Sequence, residues 1–285
     1  MKLANVALVS TMAVLGLVAV GCASKNAGSD ETLGTSEALL VDDSSEADDA
    51  DDTMESGVEE PLSGADPADP GTPADGADDA TVLGKVKTNP GKWFQPAGCI
   101  TTSVAGNVAT HVFKDCTGPY GLVSFNGTVT STYVRADGKL TITHAASGFK
   151  ANGAQITGQR VVVYSLAGGV VTKHRTGSWS GTTKKGKAFT HEADFTVTWD
   201  VAAKCITRDG SAESTVAART VSHSIEGYKR CGLGNFGCPE SGKITLSRTK
   251  GDKSASITLE FLGGNDYTVT GPNGRSVTRQ LLCKE

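Results

Sequence analysis

Apolar and polar residues alternate with a period of two along much of the chain after residue 122. In segment 191–200, Phe195, Val197 and Trp199 fall on one face, and the polar residues between them fall on the other. This is the pattern of a β-strand with one buried face. The same alternation occurs at 123–133, 140–143, 257–261 and 267–269. The pattern therefore predicts a protein built from strands that each bury one side.

Turn signals separate these strands. Pairs of glycine with asparagine, aspartate or another glycine accept the positive φ angles of tight hairpins. They stand at 106–107, 137–138, 152–153, 168–169, 209–210, 263–265 and 273–274. No stretch combines helical periodicity with caps and sufficient length, so we predict an all-β antiparallel meander of about 12 to 14 strands. Because a single sheet in water would expose its apolar side, we expect the meander to fold as a sandwich, or alternatively to curl into a barrel.

The N-terminus predicts export and lipid attachment. Lys2 precedes an almost uninterrupted apolar run at 3–20, which is typical of a signal peptide covering residues 1–21. The stretch 17–22 resembles the lipobox of bacterial lipoproteins. This resemblance implies that Cys22 is acylated, with palmitate among the acyl chains, and becomes the mature N-terminus. A plain cleaved signal or an uncleaved anchor is the alternative.

The expected location is the bacterial outer membrane, in a leaflet that the sequence leaves open. Ala23 follows the lipidated cysteine, and it is not the aspartate that resembles an inner-membrane retention signal. No later apolar run is long enough to cross a bilayer as a helix. The acyl chains on Cys22 would therefore make the membrane attachment.

Charge divides the rest of the chain into two regions. Residues 22–80 contain 18 acidic residues and one lysine, whereas residues 81–285 contain 13 acidic and 25 basic residues. The first region is too polar to bury a core, so we predict a disordered, lipid-anchored acidic linker over 22–80. It could tether the domain, serve only as solvated filler, or fold back and screen the basic domain until a polyanion displaces it. The second region is the predicted β domain, with two possible halves at 81–200 and 201–285.

Six cysteines lie in the β domain, and an even number in an exported chain predicts three disulfides. They are Cys99, Cys116, Cys205, Cys231, Cys238 and Cys283. The first two flank the hairpin at 106–107 and should pair with each other. Our preferred scheme for the others joins Cys231 to Cys238 and Cys205 to Cys283. The rival scheme joins Cys205 to Cys231 and Cys238 to Cys283.

Basic residues concentrate in the hairpins of the second half. The candidate polyanion-binding residues are Lys173, Arg175, Lys184, Lys185, Lys187, Lys229, Arg230, Arg248, Lys250 and Lys253. Such a surface attracts lipopolysaccharide or acidic polysaccharide. The few aromatic residues mostly follow the core pattern, so nucleic acid is not the favoured polyanion. A solvated surface with lysines that protect strand edges is the alternative explanation.

Apparent catalytic motifs do not fit their structural context. The glycine spacing at 231–238 lacks the helix of a dinucleotide-binding loop, and 181–188 joins two predicted strands, which makes it a basic hairpin tip. The five histidines are scattered, so we predict no metal, no cofactor and no catalytic residues. Alternation places His144 and His191 on the apolar face as core histidines, and it separates His191 from Glu192 and Asp194.

Three short segments, at 113–119, 196–200 and 227–231, carry a further resemblance. With them, residues 95–285 resemble uncharacterised secreted and lipoprotein β domains of myxobacteria-like species, a resemblance that implies no activity. We therefore expect a non-enzymatic, lipid-anchored envelope protein that displays a basic β domain for structural or interaction purposes, with envelope proteins among its partners. A polyanion- or glycan-binding module is the alternative, and a small-molecule-binding barrel or hydrolase is the second alternative.

Overall fold

A computed structural model of the chain describes residues 58–63, 79–118, 123–232 and 238–281. The predicted signal peptide, the lipidation site at Cys22 and most of the predicted acidic linker lie outside these residues, as does Cys283. No helix of the described residues is long and apolar enough to span a membrane.

Three short helices precede a series of strands. The helices are α1 (Glu60–Leu62), α2 (Asp79–Thr88) and α3 (Pro90–Trp93). The strands are β1 (Ile100–Ala105), β2 (Val108–Thr117), β3 (Ser124–Ala136), β4 (Lys139–Ala151), β5 (Ala154–Ala167), β6 (Val170–Thr182), β7 (Ala188–Asp200), β8 (Cys205–Val216), β9 (Arg219–Cys231), β10 (Pro239–Lys250), β11 (Lys253–Phe261), β12 (Asp266–Thr270) and β13 (Ser276–Gln280). The predicted all-β meander is confirmed, because each of the 13 strands pairs with the next in antiparallel order.

All described strands belong to one continuous sheet that is not closed. The strand β1 pairs with β2 and β13 pairs with β12, and the sheet order does not join β1 to β13. The described strands therefore form neither a closed barrel nor two separate sheets. The strands β7 and β8 pair along their whole length, from Phe189 with Val216 to Asp200 with Cys205, so the sheet also continues across the boundary between the two predicted halves.

Alternation gives the sheet one buried face, which we call the inner face and define by Ser131, His144 and Arg160. These residues lie directly opposite one another on β3, β4 and β5. Bulges interrupt the ladders and bend the strands, as between Arg208 and Gly210. Gly210 has a φ of +141°, and a Cβ there would lie 2.2 Å from the carbonyl oxygen of Asp194. Only glycine fits this close approach of two backbones.

Segments upstream of β1 cover the inner face of the first strands, in place of the second sheet expected for a sandwich. Val82 and Val86 of α2 pack in one cluster with Tyr133 and Leu140. Val58 and Leu62, which flank and belong to α1, pack in a second cluster with Phe149 and other aromatic residues. The prediction of disorder over 22–80 is therefore wrong for 58–63, where Val58 and Leu62 are fully buried, and for 79–80, where α2 begins.

Two disulfides staple neighbouring strands. The predicted pair of Cys99 with Cys116 is confirmed. Cys205 pairs with Cys231. Our preferred scheme, which joined Cys205 to Cys283, is therefore wrong, and the rival scheme is correct for this disulfide. The reason is register, because these two cysteines lie directly opposite each other on β8 and β9. Cys238 is also disulfide-bonded, to a partner outside the described residues.

Candidate functional site

The inner face carries buried positive charge. Arg160 and Arg175 are each 1% exposed, Lys173 is 5% exposed, and Arg208 is 8% exposed. Strand register places all four on the inner face. The described strands add no aspartate or glutamate to it, because each of their carboxylates lies on the outer face, in a bulge or beside a turn, and none is buried. A buried cation is costly unless a negative group compensates it.

Glu59, immediately before α1, supplies a buried carboxylate to this cluster. Arg160 donates a hydrogen bond of 2.6 Å from Nη1 to Oε1 of Glu59. The Nζ of Lys173 lies 2.9 Å from the other carboxylate oxygen, Oε2. The side chain of Glu59 is 1% exposed. Two cations on neighbouring strands, β5 and β6, thus bind one carboxylate away from solvent.

Two residues of β6 accommodate the long side chain of Arg160. Its cross-strand neighbour on β6 is Gly177, where a Cβ would lie 3.1 Å from the Cβ of Arg160. The absence of a side chain on Gly177 leaves room beside the long arginine. The guanidinium lies 5.8 Å from the ring centre of Trp179, in a cation–π contact. Burial lowers the pKa of Arg160, and the nearby positive charge of Arg175 lowers it further, so a negative group beside Arg160 stabilises its charged form.

A second aromatic contact holds the other two cations. The guanidinium carbons of Arg175 and Arg208 lie 4.9 Å and 4.8 Å from the ring centre of Phe195. His223 stacks on the same ring, with the centroids 5.2 Å apart. The quadrupole of an aromatic ring attracts cations, so Phe195 stabilises positive charge on the inner face without neutralising it.

Three buried histidines lie on the same inner face as the cations. Each uses its Nδ1 in a hydrogen bond to a hydroxyl on a neighbouring strand: His111 with Thr102 at 3.0 Å, His144 with Ser131 at 2.9 Å, and His191 with Ser214 at 2.7 Å. The predicted placement of His144 and His191 on the buried face is confirmed. The separation of His191 from the carboxylates of β7 is confirmed as well, since Asp194 lies on the outer face against His174.

Three other ring nitrogens on the inner face differ from these. The Nε2 atoms of His111 and His144 and the Nε1 of Trp179 are buried and have no hydrogen-bond partner among the described residues. His144 lies directly opposite Arg160, and Trp179 lies beneath its guanidinium. A buried polar atom without a partner costs about 1–3 kcal/mol. The surroundings of Arg160 therefore have hydrogen-bonding capacity that Glu59 does not use.

Burial of the histidines predicts acid sensitivity. Desolvation lowers the pKa of His111 to about 4. Desolvation also lowers the pKa of His144 to about 3, with smaller electrostatic contributions from His111 and Lys173. Between these values and pH 6.5, the unfolded chain binds more protons than the folded chain, so stability decreases as pH falls. We expect a loss of about 1 kcal/mol per histidine between pH 7 and pH 5.5, measured by urea denaturation. A His144→Asn variant should lose about half of this dependence of stability on pH. A variant whose stability changes with pH as steeply as that of the wild-type chain would contradict the prediction.

The predicted polyanion-binding residues do not form one patch. Lys173 and Arg175 lie on the inner face, and Arg230 and Arg248 are half-buried. Five others are exposed, namely Lys184, Lys185 and Lys187 at the β6–β7 turn and Lys250 and Lys253 at the β10–β11 turn. The last, Lys229, is half-exposed and pairs with Glu240 at 2.8 Å. Because Lys229 lies at the opposite end of the strands from the two turns, these lysines belong to separate surfaces.

Arg160, Arg208 and Glu59 were not among the site residues that we predicted from the sequence. A signal for the arginines existed, since alternation in β5 places Arg160 with Ile156 and Val162 on the apolar face. A charge at such a position indicates a buried pair or a binding site. Nothing comparable pointed to Glu59, which is 101 residues away from Arg160 in sequence and stands in a run of acidic residues.

The described residues contain no group of three His, Cys, Asp or Glu side chains placed to hold a metal ion. Comparisons of the chain with protein-family models, with curated proteins and with solved structures found no match. The cationic inner face is thus the most distinctive chemical feature of the described structure.

Proposed function

We propose that this protein is a non-enzymatic binding module for an anionic ligand, anchored to the bacterial envelope. The observation that carries this proposal is the buried pair of Arg160 and Lys173 on a sheet face without strand carboxylates. A guanidinium and an ammonium held in fixed positions recognise carboxylate or phosphate groups. In the described chain this position is filled by Glu59.

Location is a separate part of the proposal. The stretch 17–22 and the disulfides of the β domain support an exported lipoprotein acylated at Cys22 and held in the outer membrane. Incorporation of labelled palmitate that a Cys22→Ser substitution abolishes is the expected result. Labelling that persists in the variant would contradict the assignment of the acylated residue.

The anion-binding proposal is tested with a Glu59→Gln variant of the full chain. This substitution leaves Arg160 and Lys173 without their carboxylate while preserving the shape of the side chain. We expect succinate or phosphate, compared with chloride at equal ionic strength, to raise the Tm of the variant by about 5 °C near saturation. The shift in the wild-type chain should be much smaller, because Glu59 competes for the same cations.

A Glu240→Gln variant is the matched control, since Glu240 pairs with Lys229, whose side chain is half-exposed. Its Tm should respond to the anions as the wild-type chain does. Equal shifts in all three proteins would mean that the anions act on general surface charge and would overturn the proposal.

Polyanion binding at the β6–β7 turn is a second candidate function. Lys184, Lys185 and Lys187 are exposed together within a turn of five residues. Salt-sensitive binding of lipopolysaccharide that disappears when all three are replaced by glutamine, and that persists in Glu59→Gln, would favour this surface over the inner face.

A further inference from the structure

We infer that the inner-face site takes an acidic peptide, and that residues 58–63 are an internal copy of this ligand. The inference rests on the proposed anion-binding function and adds the chemical class of the ligand. An incoming peptide would present a glutamate to Arg160 and Lys173 and apolar side chains on both sides of it.

The contacts of segment 58–63 are those of a docked peptide. Its backbone–backbone hydrogen bond outside regular structure runs within the segment, from the amide of Ser63 to the carbonyl of Glu59. It reaches the sheet through the carboxylate of Glu59, through two buried apolar side chains, and through the carbonyl of Leu62, which accepts a hydrogen bond from the Tyr133 hydroxyl. The segment is thus held by side chains and one carbonyl, not as a strand of the sheet.

The apolar contacts favour a peptide over an acidic glycan. Val58 and Leu62 are completely buried, and both belong to the cluster that contains Phe94, Phe113 and Phe149. A sugar chain could supply the negative charge but not these two aliphatic side chains. The ligand that fits both parts of the site has the pattern apolar, glutamate, two residues, apolar, which in this chain is 58–62.

The internal segment does not use the full capacity of the site. The Nε2 of His144 and the Nε1 of Trp179 stay without hydrogen-bond partners among the described residues, beside the arginine that binds Glu59. The indole nitrogen is a donor only, so it favours a ligand that brings a further acceptor. A peptide with an additional carbonyl or carboxylate here would bind more tightly than residues 58–63 and displace them.

The test uses a fluorescent peptide with the sequence of residues 56–64 and full-length protein. Fluorescence anisotropy should show at least about tenfold tighter binding to the Glu59→Gln chain than to the wild-type chain, because the weakened internal segment competes less. A peptide with glutamine in place of Glu59 should bind at least about tenfold more weakly than the native peptide. A Leu62→Ser chain, which keeps all charges, is the second variant and should also bind the native peptide more tightly than wild type.

Several outcomes would overturn the inference. Equal binding of the native and glutamine peptides would show that the carboxylate is not recognised. Displacement of the segment by an acidic oligosaccharide but not by the peptide would assign the site to a glycan. If succinate stabilises Glu59→Gln but the peptide does not bind, the proposed anion-binding function stands and the peptide inference fails. If neither ligand acts, both fail.

Discussion

Replacing Glu59 with glutamine lowers the free energy of unfolding by about 3 kcal/mol, as expected for a buried ion pair that loses one partner. The variant keeps Arg160 and Lys173 buried but removes the charge that compensates them. The neutral amide restores only part of the hydrogen bonding. Urea denaturation of the full-length protein at pH 7, followed by tryptophan fluorescence, measures the difference.

The ion pairs of Glu59 are buried, unlike ion pairs on the surface. In the pair of Lys229 with Glu240 the two side chains are 45% and 47% exposed, so Glu240→Gln should change the free energy of unfolding by less than about 0.5 kcal/mol. If Glu59→Gln and Glu240→Gln lower the free energy of unfolding equally, Glu59 is not held in a desolvated site. That result would also contradict the proposed anion-binding site. A double variant that combines Glu59→Gln with Arg160→Met should recover part of the loss, because it removes a buried charge along with its partner.

Replacing Phe149 with alanine should cost about 4 kcal/mol, the largest effect that we expect. Phe149 is fully buried, and its ring lies 5.3 Å from that of Phe113 and 5.8 Å from that of Phe125. The substitution removes an aromatic side chain from a cluster that also receives Leu62 of the N-terminal segment. Because the sheet backbone on both sides holds its position, the cavity closes only in part.

The cluster also predicts a functional consequence. Loss of Phe149 removes apolar surface from the cluster to which Val58 and Leu62 belong, so the native peptide of residues 56–64 should bind the variant more weakly. A Val134→Ala control, at a side chain that is 47% exposed, should cost less than about 1 kcal/mol. A Phe149→Ala effect as small as that of the control would mean that the aromatic cluster does not carry the stability of this half of the sheet.

Much of the fold was predictable because its signals are local. Alternation with a period of two marks several of the strands, and glycine with asparagine or aspartate marks many of the turns, so an antiparallel meander could be predicted. The turn predicted at 209–210 is wrong, because both residues lie within β8, where the chain forms a bulge. The face of His144 and the pair of Cys99 with Cys116 follow from the same two rules. The error at Cys205 and Cys231 has a simple cause, because the register of β8 against β9 depends on a bulge near Gly210 that alternation does not reveal.

The candidate site was only half predictable. Lys173 and Arg175 stood among the sequence candidates, yet we expected them on an exposed polyanion-binding surface, and both are buried. The exposed lysines of the β6–β7 turn belong to a different surface. A count of charged residues cannot distinguish a buried cation from an exposed one, because it does not show which face of a strand turns toward the core.

By itself, the sequence determined the class of the fold, many of its hairpins and the concentration of basic residues in the second half of the chain. Only the tertiary structure decided what covers the inner face and which carboxylate enters it. The physical reason is the sequence separation over which the interactions act. Strand periodicity and turn chemistry act over a few residues, whereas the pairing of Glu59 with Arg160 joins positions 101 residues apart and depends on the path of the whole chain.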